Sequence, residues 1–587
     1  MGNYYRLLWL ARFARFVGYP AFVLAAILHL WPCRLGDSRV LIGALYVVVV
    51  PIFWGLRNTV RDAMRAREAK RLGARVVPVV KAKWPGNIDL LIKLVASTRT
   101  GYVAEVFDQL ANEYGTTFNM RLLWSDLIVT IDHDVIKYML ATGFNSFAKG
   151  PIQQARLESF LGDGIFNRDG ELWKFHRTMT RPFFVRERTS EFDLFEKYTQ
   201  KLLARIGEDG PVDVQDLFGR LTMDAAGEFL FSCTTLNTLS LPLPIAYKAQ
   251  IGPRGTAAPT SYGSFVSAFD EAQTVIPVRG RMGPYIWPVV EWKEDKAGKY
   301  RRVVDEWVKP LIDGAIQRRE DYVSGGGDKT KPAGDTFIDD LVSSTEDRTL
   351  ITDELVNILL AARDTTASLL TFTTYLLSQH PEVLHRLRQE ILAHVGPDAA
   401  PTYDQVKRMK YLRAILNETL RLFPPVPINE RAALVACAIP TGTGRLYIPP
   451  RTQILYSPLL MQRRQDLWGP DAWEFDPGRW LDGRNEGFIK DPMRFVPFNA
   501  GPRICLGQPF AYNEASFVLV RLFQKFSRLE LAMDAAPEGS LPPREWQGLD
   551  GRKGTDRVWV KNAITLYSTG GMWVRVRSGG VGPEPGR

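Results

Sequence analysis

Two apolar runs open the chain, 17–31 (VGYPAFVLAAILHLW) and 40–56 (VLIGALYVVVVPIFWGL). Each is near the short end of what crosses a bilayer as a helix, and Pro20 and His29 weaken the first. A cleaved signal peptide is the rival reading. No small-residue cleavage site follows the first run, however, and a second run comes at once. The pattern predicts a membrane anchor over 1–56. Arg6, Arg12 and Arg15 precede the first run, while Arg57, Arg61, Arg65, Arg67, Lys70 and Arg71 follow the second. A hairpin with both basic flanks in the cytosol satisfies the bias of basic residues to that side, and the second run alone would also leave the bulk of the chain there. The stretch 57–86, ending in VVPVVKAKWPG, reads as a basic linker or hinge.

Beyond it the periodicity is mostly helical with a few strand-like segments, so 87–577 is expected to be mainly α with small β-sheets. LLWSDLIVTID (122–132) reads as a strand, GTGRLYIPPRTQILYS (442–457) as a β region, and AITLYSTGGMWVRVR (563–577) as a hairpin around 569–571. YVSGGGDKTKPAGD (322–335) reads as a flexible loop and 578–587 as a disordered tail. A long helix is predicted from a Thr352 cap to Pro381, with the polar island AARDTT (361–366) at its centre. A threonine there can bond back to the carbonyl one turn earlier and open a groove. Two readings stand: a solvent-facing polar patch, or a groove lined by Thr365, with Asp364 nearby, that holds a small ligand and relays protons.

Composition removes several classes. With 45% hydrophobic and 24% charged residues the chain is not disordered. Cys33, Cys233, Cys437 and Cys505 are too far apart for a disulfide framework or a structural zinc site, and the six histidines form no metal motif. The net charge of +10 carries no aromatic-interleaved basic repeat, so it points to membrane surface and partner attraction and not to nucleic acid. GTGRLY and GGGDKT fail as dinucleotide and phosphate loops, so electrons for any redox chemistry come from elsewhere.

Three further motifs lie toward the C-terminus. Glu418 and Arg421 share a helical face, and Arg479 follows in the turn FDPGRW. The loop FVPFNAGPRICLGQPF then sets Phe498, Gly501, Arg503, Cys505 and Gly507 in the pattern F-x-x-G-x-R-x-C-x-G. Glycines permit sharp turns and close approach to a flat ligand, backbone N–H groups can bond the sulfur, and an aromatic can shield it from water. A helix starting just after the cysteine would favour a thiolate through its N-terminal dipole. Those are the needs of an iron-binding thiolate.

From about Lys83 to Arg577 this ordered set resembles the cytochrome P450 haem-thiolate monooxygenases: W-x-x-x-R at Trp173 and Arg177, the AARDTT helix, E-x-x-R at Glu418 and Arg421, FDPGRW, and the cysteine loop last. The resemblance implies the cytochrome P450 fold with N-terminal membrane-anchor helices. It implies haem b bound through Cys505, with Phe498, Gly501 and Gly507 around the sulfur and Trp173, Arg177, Arg503 and Arg431 as propionate partners. Thr365 would act at the oxygen-binding groove, with Asp364 in the proton-delivery path. Glu418, Arg421 and Arg479 would be structural. One departure is Ala362, where the family usually has glycine: its methyl would stand in the oxygen-binding groove, and with Thr365 intact monooxygenation is still expected. Electrons would come from NADPH through a membrane-bound NADPH-cytochrome P450 reductase, with cytochrome b5 as a further candidate donor, docking on basic residues such as Lys174, Arg181, Arg494, Arg521 or Lys525. The location implied is the endoplasmic reticulum membrane, catalytic part cytosolic.

The double apolar start and the insertion at 235–259 are similar to fungal microsomal enzymes that hydroxylate alkanes and fatty acids. Terpenoid, steroid or polyaromatic oxidation is the alternative substrate class, and 151–170, 235–269 and 568–571 are the expected pocket segments. A haem-thiolate isomerase or dehydratase would not need Thr365 and Asp364. A non-catalytic haem sensor would need neither a proton relay nor an electron donor.

Overall fold

The computed structural model describes residues 4–30, 39–185, 190–231, 236–248, 263–328 and 332–578. Helices dominate and the sheets are small. The chain divides into two compact units: 1–159, 275–299 and 428–457 form the first, and the remainder the second.

In the first unit, helices α1 (Tyr4–Leu30) and α2 (Arg39–Arg71) carry the apolar runs, and both are long and apolar enough to cross a membrane. α2 continues without a break through the basic stretch expected as a linker, as far as Arg71. That stretch is pinned by charge. Arg61 and Arg65 reach Asp126 at 2.9 and 2.6 Å, and Arg121 reaches Asp62 at 2.7 Å. Burial alone would raise the Asp126 carboxyl, but the two arginines outweigh it and hold it below its ordinary value. The start of α1 is fastened by aromatic residues: Tyr5 Oη donates to Glu291 O at 2.8 Å, Trp9 Nε1 donates to Tyr285 O at 2.7 Å, and Phe16 stacks on Trp54.

The unit's larger sheet runs Thr117–Asn119, Leu127–Thr130, Gln453–Tyr456, Asn429–Ala433, Phe147–Ala148. Only the pair of Leu127–Thr130 with Gln453–Tyr456 is parallel. The strand read over 122–132 is therefore shorter than expected. Arg121, Leu123 and Trp124 have positive φ, which makes the start of that segment a tight turn.

The helices of the second unit that bear on the site are α3 (Gly170–Val185), α4 (Val214–Phe231), the first part of α5 (Gly263–Val290), α6 (Arg348–Gln379), α7 (Lys410–Leu422) and α8 (Gln508–Lys525). α6, roughly 48 Å long at 1.5 Å per residue, is the central one, with Leu355, Leu359, Leu369, Leu370 and Phe372 in the core. It starts one turn earlier than predicted. Asp347, not Thr352, caps it by accepting from the Thr349 and Leu350 N–H groups, while the Thr352 hydroxyl bonds back to Arg348 O. It stops at His380, before Pro381, as the sequence predicts.

The hairpin expected at 563–577 is not one. Leu566–Ser568 pairs with Val560–Asn562, and Trp573–Arg577 leaves to pair with Arg528–Leu531 and Val212–Asp213. Gly570 and Gly571, at φ 80° and 97°, turn the chain away. A Cβ on Gly571 would sit 2.3 Å from Asp213 Oδ2, so glycine is required where that strand docks. The tail expected at 578–587, apart from Ser578, and 235 and 249–259 of the insertion lie outside the described residues, as do 329–331 of the loop expected at 322–335. Residues 322–324 close the helix Lys296–Ser324.

Candidate functional site

The cysteine loop is shaped by backbone. Asn499 and Gly501 take left-handed conformations at φ 60° and 66°, and a single turn over Gly501–Arg503 then brings Cys505 N–H to within 2.9 Å of Phe498 O. α8 begins at Gln508 with Gly507 as its N-cap, so Cys505 sits just ahead of the positive end of a helix of 18 residues. Gly507 has φ −85°, which any residue adopts, and a Cβ there would meet nothing within 4 Å. Burial pushes the Cys505 thiol up, opposed by a hydrogen bond from Gly507 N–H and by the charge of Arg177. The residue nonetheless keeps accessible surface. A thiol enclosed by protein but open on one side, next to a position where a Cβ finds open space, fits a sulfur that ligates the metal of a bulky flat group. Phe498 packs on Tyr512 with ring centres 5.2 Å apart.

Trp173 of α3 is buried, and two guanidinium groups lie over its ring: Arg503 at 4.6 Å and Arg177 at 5.8 Å from its centre. Burial lowers the Arg177 pKa. Arg503 donates to Asp169 Oδ1 at 2.7 Å and to Arg168 O at 2.8 Å. Arg431 lies in the other unit, on the strand Asn429–Ala433, with its guanidinium over Tyr456 and a bond to Glu430 O.

On α6, Ala361, Ala362, Asp364, Thr365 and Ala367 keep partial exposure between buried flanks, and the Thr365 hydroxyl donates back to Ala361 O at 2.7 Å, as the sequence predicts. Asp364 borders a cavity of about 70 Å³, which Thr365 does not line. Burial raises the Asp364 carboxyl to about 6, and Arg363, together with a hydrogen bond from Gln273, only partly opposes this. Its Oδ2 has no hydrogen-bond partner among the described residues. The same cavity is lined by 563 and 565–567.

The charge cluster anticipated from E-x-x-R and FDPGRW is assembled. Glu418 accepts from Arg421 at 2.8 and 2.7 Å, from Arg479 at 2.9 Å, from the Trp480 indole at 2.9 Å and from Asp476 N–H at 3.1 Å. Arg421 also donates to the carbonyls of Gln462, Ala472 and Glu474. Burial would raise the Glu418 pKa, but the two arginines hold it below its ordinary value.

Several partners were missed: Asp169, the counter-ion of Arg503; Asp270 and Gln273, which face α6; and buried His176, which meets Glu354 and lies 3.4 Å from Asp163. No local pattern marks Asp270 or Asp169, because each acquires its role from a helix or loop distant in sequence. Part of the segment 151–170 is fastened to α6: Asp163 N–H donates to Asp353 and Asn357 donates to Leu161 O.

A thiol at a helix N-terminus, with arginines over an indole beside it, is an arrangement able to ligate a cofactor's metal through thiolate. A family model for cytochrome P450 matches residues 84–543. The chain is 37% identical over 462 residues to cytochrome P450 monooxygenase himC of Aspergillus japonicus, covering 77% of this chain and 78% of that protein. It is 36% identical over 478 residues to cytochrome P450 52-E3 of Starmerella bombicola, covering 79% and 87%. Against cytochrome P450 52A13 of Debaryomyces hansenii the figures are 34% over 467 residues, 77% and 86%. The chain belongs to the cytochrome P450 family. It is accordingly a haem-thiolate monooxygenase that takes its electrons from NADPH through a reductase and acts on lipophilic compounds. Its two apolar helices fit a membrane anchor.

Proposed function

We propose that this chain hydroxylates long apolar substrates of the alkane and fatty-acid kind at the endoplasmic reticulum membrane, with Cys505 as the thiolate ligand of its haem. The observation that carries the site assignment is the Cys505 loop: a thiol held at the start of α8, hydrogen-bonded by Gly507 N–H, enclosed yet open on one side. When bound, haem ligated by cysteine supplies the reductive activation of dioxygen, one atom entering a C–H bond and the other leaving as water. The chain's own residues do the rest. Gly501 and Asn499 set the turn that presents the sulfur, and Phe498 shields it, held by Tyr512. Trp173, Arg177 and Arg503 form a cationic, aromatic wall suited to carboxylates at the cofactor's edge. Thr365 holds a hydroxyl toward the open stripe of α6, and Asp364, one residue away, keeps an unpartnered oxygen from which a proton can be passed.

The substrate class rests on the resemblance to fungal microsomal hydroxylases and on an anchor that places the protein where such molecules partition. Of the basic residues considered for docking the reductase, Arg521, Lys525 and Arg494 are engaged internally, with Glu196, Leu203 O and Asp491. Lys174, 59% exposed and paired among the described residues only with neighbouring Glu171, and the exposed Arg181 are the better docking residues. The test is the carbon monoxide difference spectrum of the reduced protein beside Cys505→Ala. A strongly red-shifted Soret band lost in the variant is expected, and a haem-loaded wild type without that band removes the assignment.

A further inference from the structure

Arg363 precedes Asp364 on α6, yet its guanidinium is engaged elsewhere: Nη1 contacts Asp270 Oδ1 of α5. The same Nη1 lies 3.6 Å from Asp364 Oδ1, longer than a hydrogen bond. All three side chains border the cavity of about 70 Å³, with Gln273 one turn beyond Asp270 on α5 and Gln215 contributed by α4. That volume holds about two waters, at roughly 30 Å³ each, and the polar lining gives them partners. Among the cavity-lining residues the charged and titratable groups are Arg363 and Asp364 on α6, Asp270 on α5 and Tyr567 on the 563–567 segment; α4 contributes none.

We propose that Arg363 and Asp270 are positioning residues for Asp364: one guanidinium is shared between two carboxylates, and its engagement by Asp270 makes Asp364, beside the water-sized cavity, hold its proton more tightly. This rests on the reading of Asp364 as the proton-delivering residue and names what sets its state. With Arg363 turned to Asp270, Asp364 bears the cost of burial with little compensation, consistent with its raised pKa. Without the Asp270 carboxylate, the guanidinium is released to Asp364 and favours its ionised form. Without Arg363, two carboxylates share one site and the proton is held more tightly on Asp364. The two removals therefore act in opposite directions, which general loosening of the helix pair would not do.

The experiment is an infrared titration of the full-length holoenzyme, following the protonated-carboxyl band that disappears in Asp364→Asn. In Asp270→Asn its midpoint is expected to fall by at least roughly one pH unit, a tenfold loss of proton affinity. In Arg363→Gln it should rise by a similar amount, and Arg363→Lys should return it toward wild type. Midpoints unmoved, or moved in the same direction in Asp270→Asn and Arg363→Gln, overturn the proposal. If either variant does not load haem, Asp270→Glu and Arg363→Lys supply the comparison. They must then leave the midpoint closer to wild type than whichever charge-removing variant folds. The pH profile of product formed per NADPH, measured on the same variants, separates the two levels. Shifted infrared midpoints with an unmoved profile keep the shared guanidinium and remove the proton-delivery reading of Asp364.

Discussion

Two buried charge clusters of the second unit resemble each other on paper and differ in the molecule. Around Glu418, every acceptor is used: five hydrogen bonds converge on one carboxylate, and Arg421 spends its remaining donors on three backbone carbonyls. Around Asp364, an arginine is again present, but it serves a different carboxylate, one oxygen is left without a partner, and a small cavity adjoins. A satisfied cluster fixes geometry and resists change of protonation, so the Glu418 carboxyl is held low. An unsatisfied one keeps a group near the point of gaining or losing a proton, so the Asp364 carboxyl rises to about 6. Fold and chemistry are thus served by the same residue types, and what separates them is whether the hydrogen bonds close.

The comparison breaks first at Glu418. Glu418→Gln removes the charge that compensates Arg421 and Arg479 while leaving both buried, a change that costs on the order of 3–5 kcal/mol. Denaturant unfolding should show that loss, together with a poor yield of haem-loaded protein. A cost below about 1 kcal/mol would mean that the cluster is not structural in the sense argued above.

Asp364→Asn should have the opposite sign. The folded carboxyl titrates near 6 against an ordinary value of 3.8. Its contribution to stability is therefore fully present below about pH 4 and is lost as pH rises through 6. At pH 7 the variant should be more stable than wild type by roughly 3 kcal/mol, with the advantage vanishing near pH 4. Unfolding curves at the two pH values check this; a variant destabilised at both would place Asp364 with Glu418.

Thr365→Ala sharpens the contrast within α6. The hydroxyl's only bond among the described residues is to its own helix, at Ala361 O, so the melting temperature should barely move. Product per NADPH should instead fall by roughly tenfold, about 1.4 kcal/mol in a barrier, with peroxide released in place of product. Unchanged coupling would remove Thr365 from the chemistry.

How much of this was legible in the sequence follows the same division. The helix ending at His380, the back-bonded Thr365, the cysteine preceding a helix and the Glu418 cluster were all readable, because each depends on spacing within one segment or on a motif whose parts are charged and fixed. The helix start was misplaced because Asp347 and Thr352 are both good caps one turn apart, and only tertiary packing chooses between them. The false hairpin failed because the glycine pair that signals a tight turn serves to divert the strand to Asp213. Asp270 and Asp169 were invisible for a simpler reason. A carboxylate on a surface-like helix or loop has no signature until the fold supplies its arginine.

Asp169 gives the smallest expected effect and the finest test. It holds Arg503 over the Trp173 ring, but it is 20% exposed and Arg503 keeps its bond to Arg168 O, so Asp169→Asn should cost only about 0.5–1 kcal/mol. Because the pair is partly in solvent, raising the salt concentration should shrink the difference between variant and wild type, whereas the Glu418 penalty, buried from solvent, should persist. Measuring both variants at low and high salt thus ranks the clusters by closure. A salt-independent Asp169 effect equal to that of Glu418 would show that the loop holding Arg503 carries the fold no less than the core cluster does, and that the cationic wall beside Cys505 is built before any cofactor enters it.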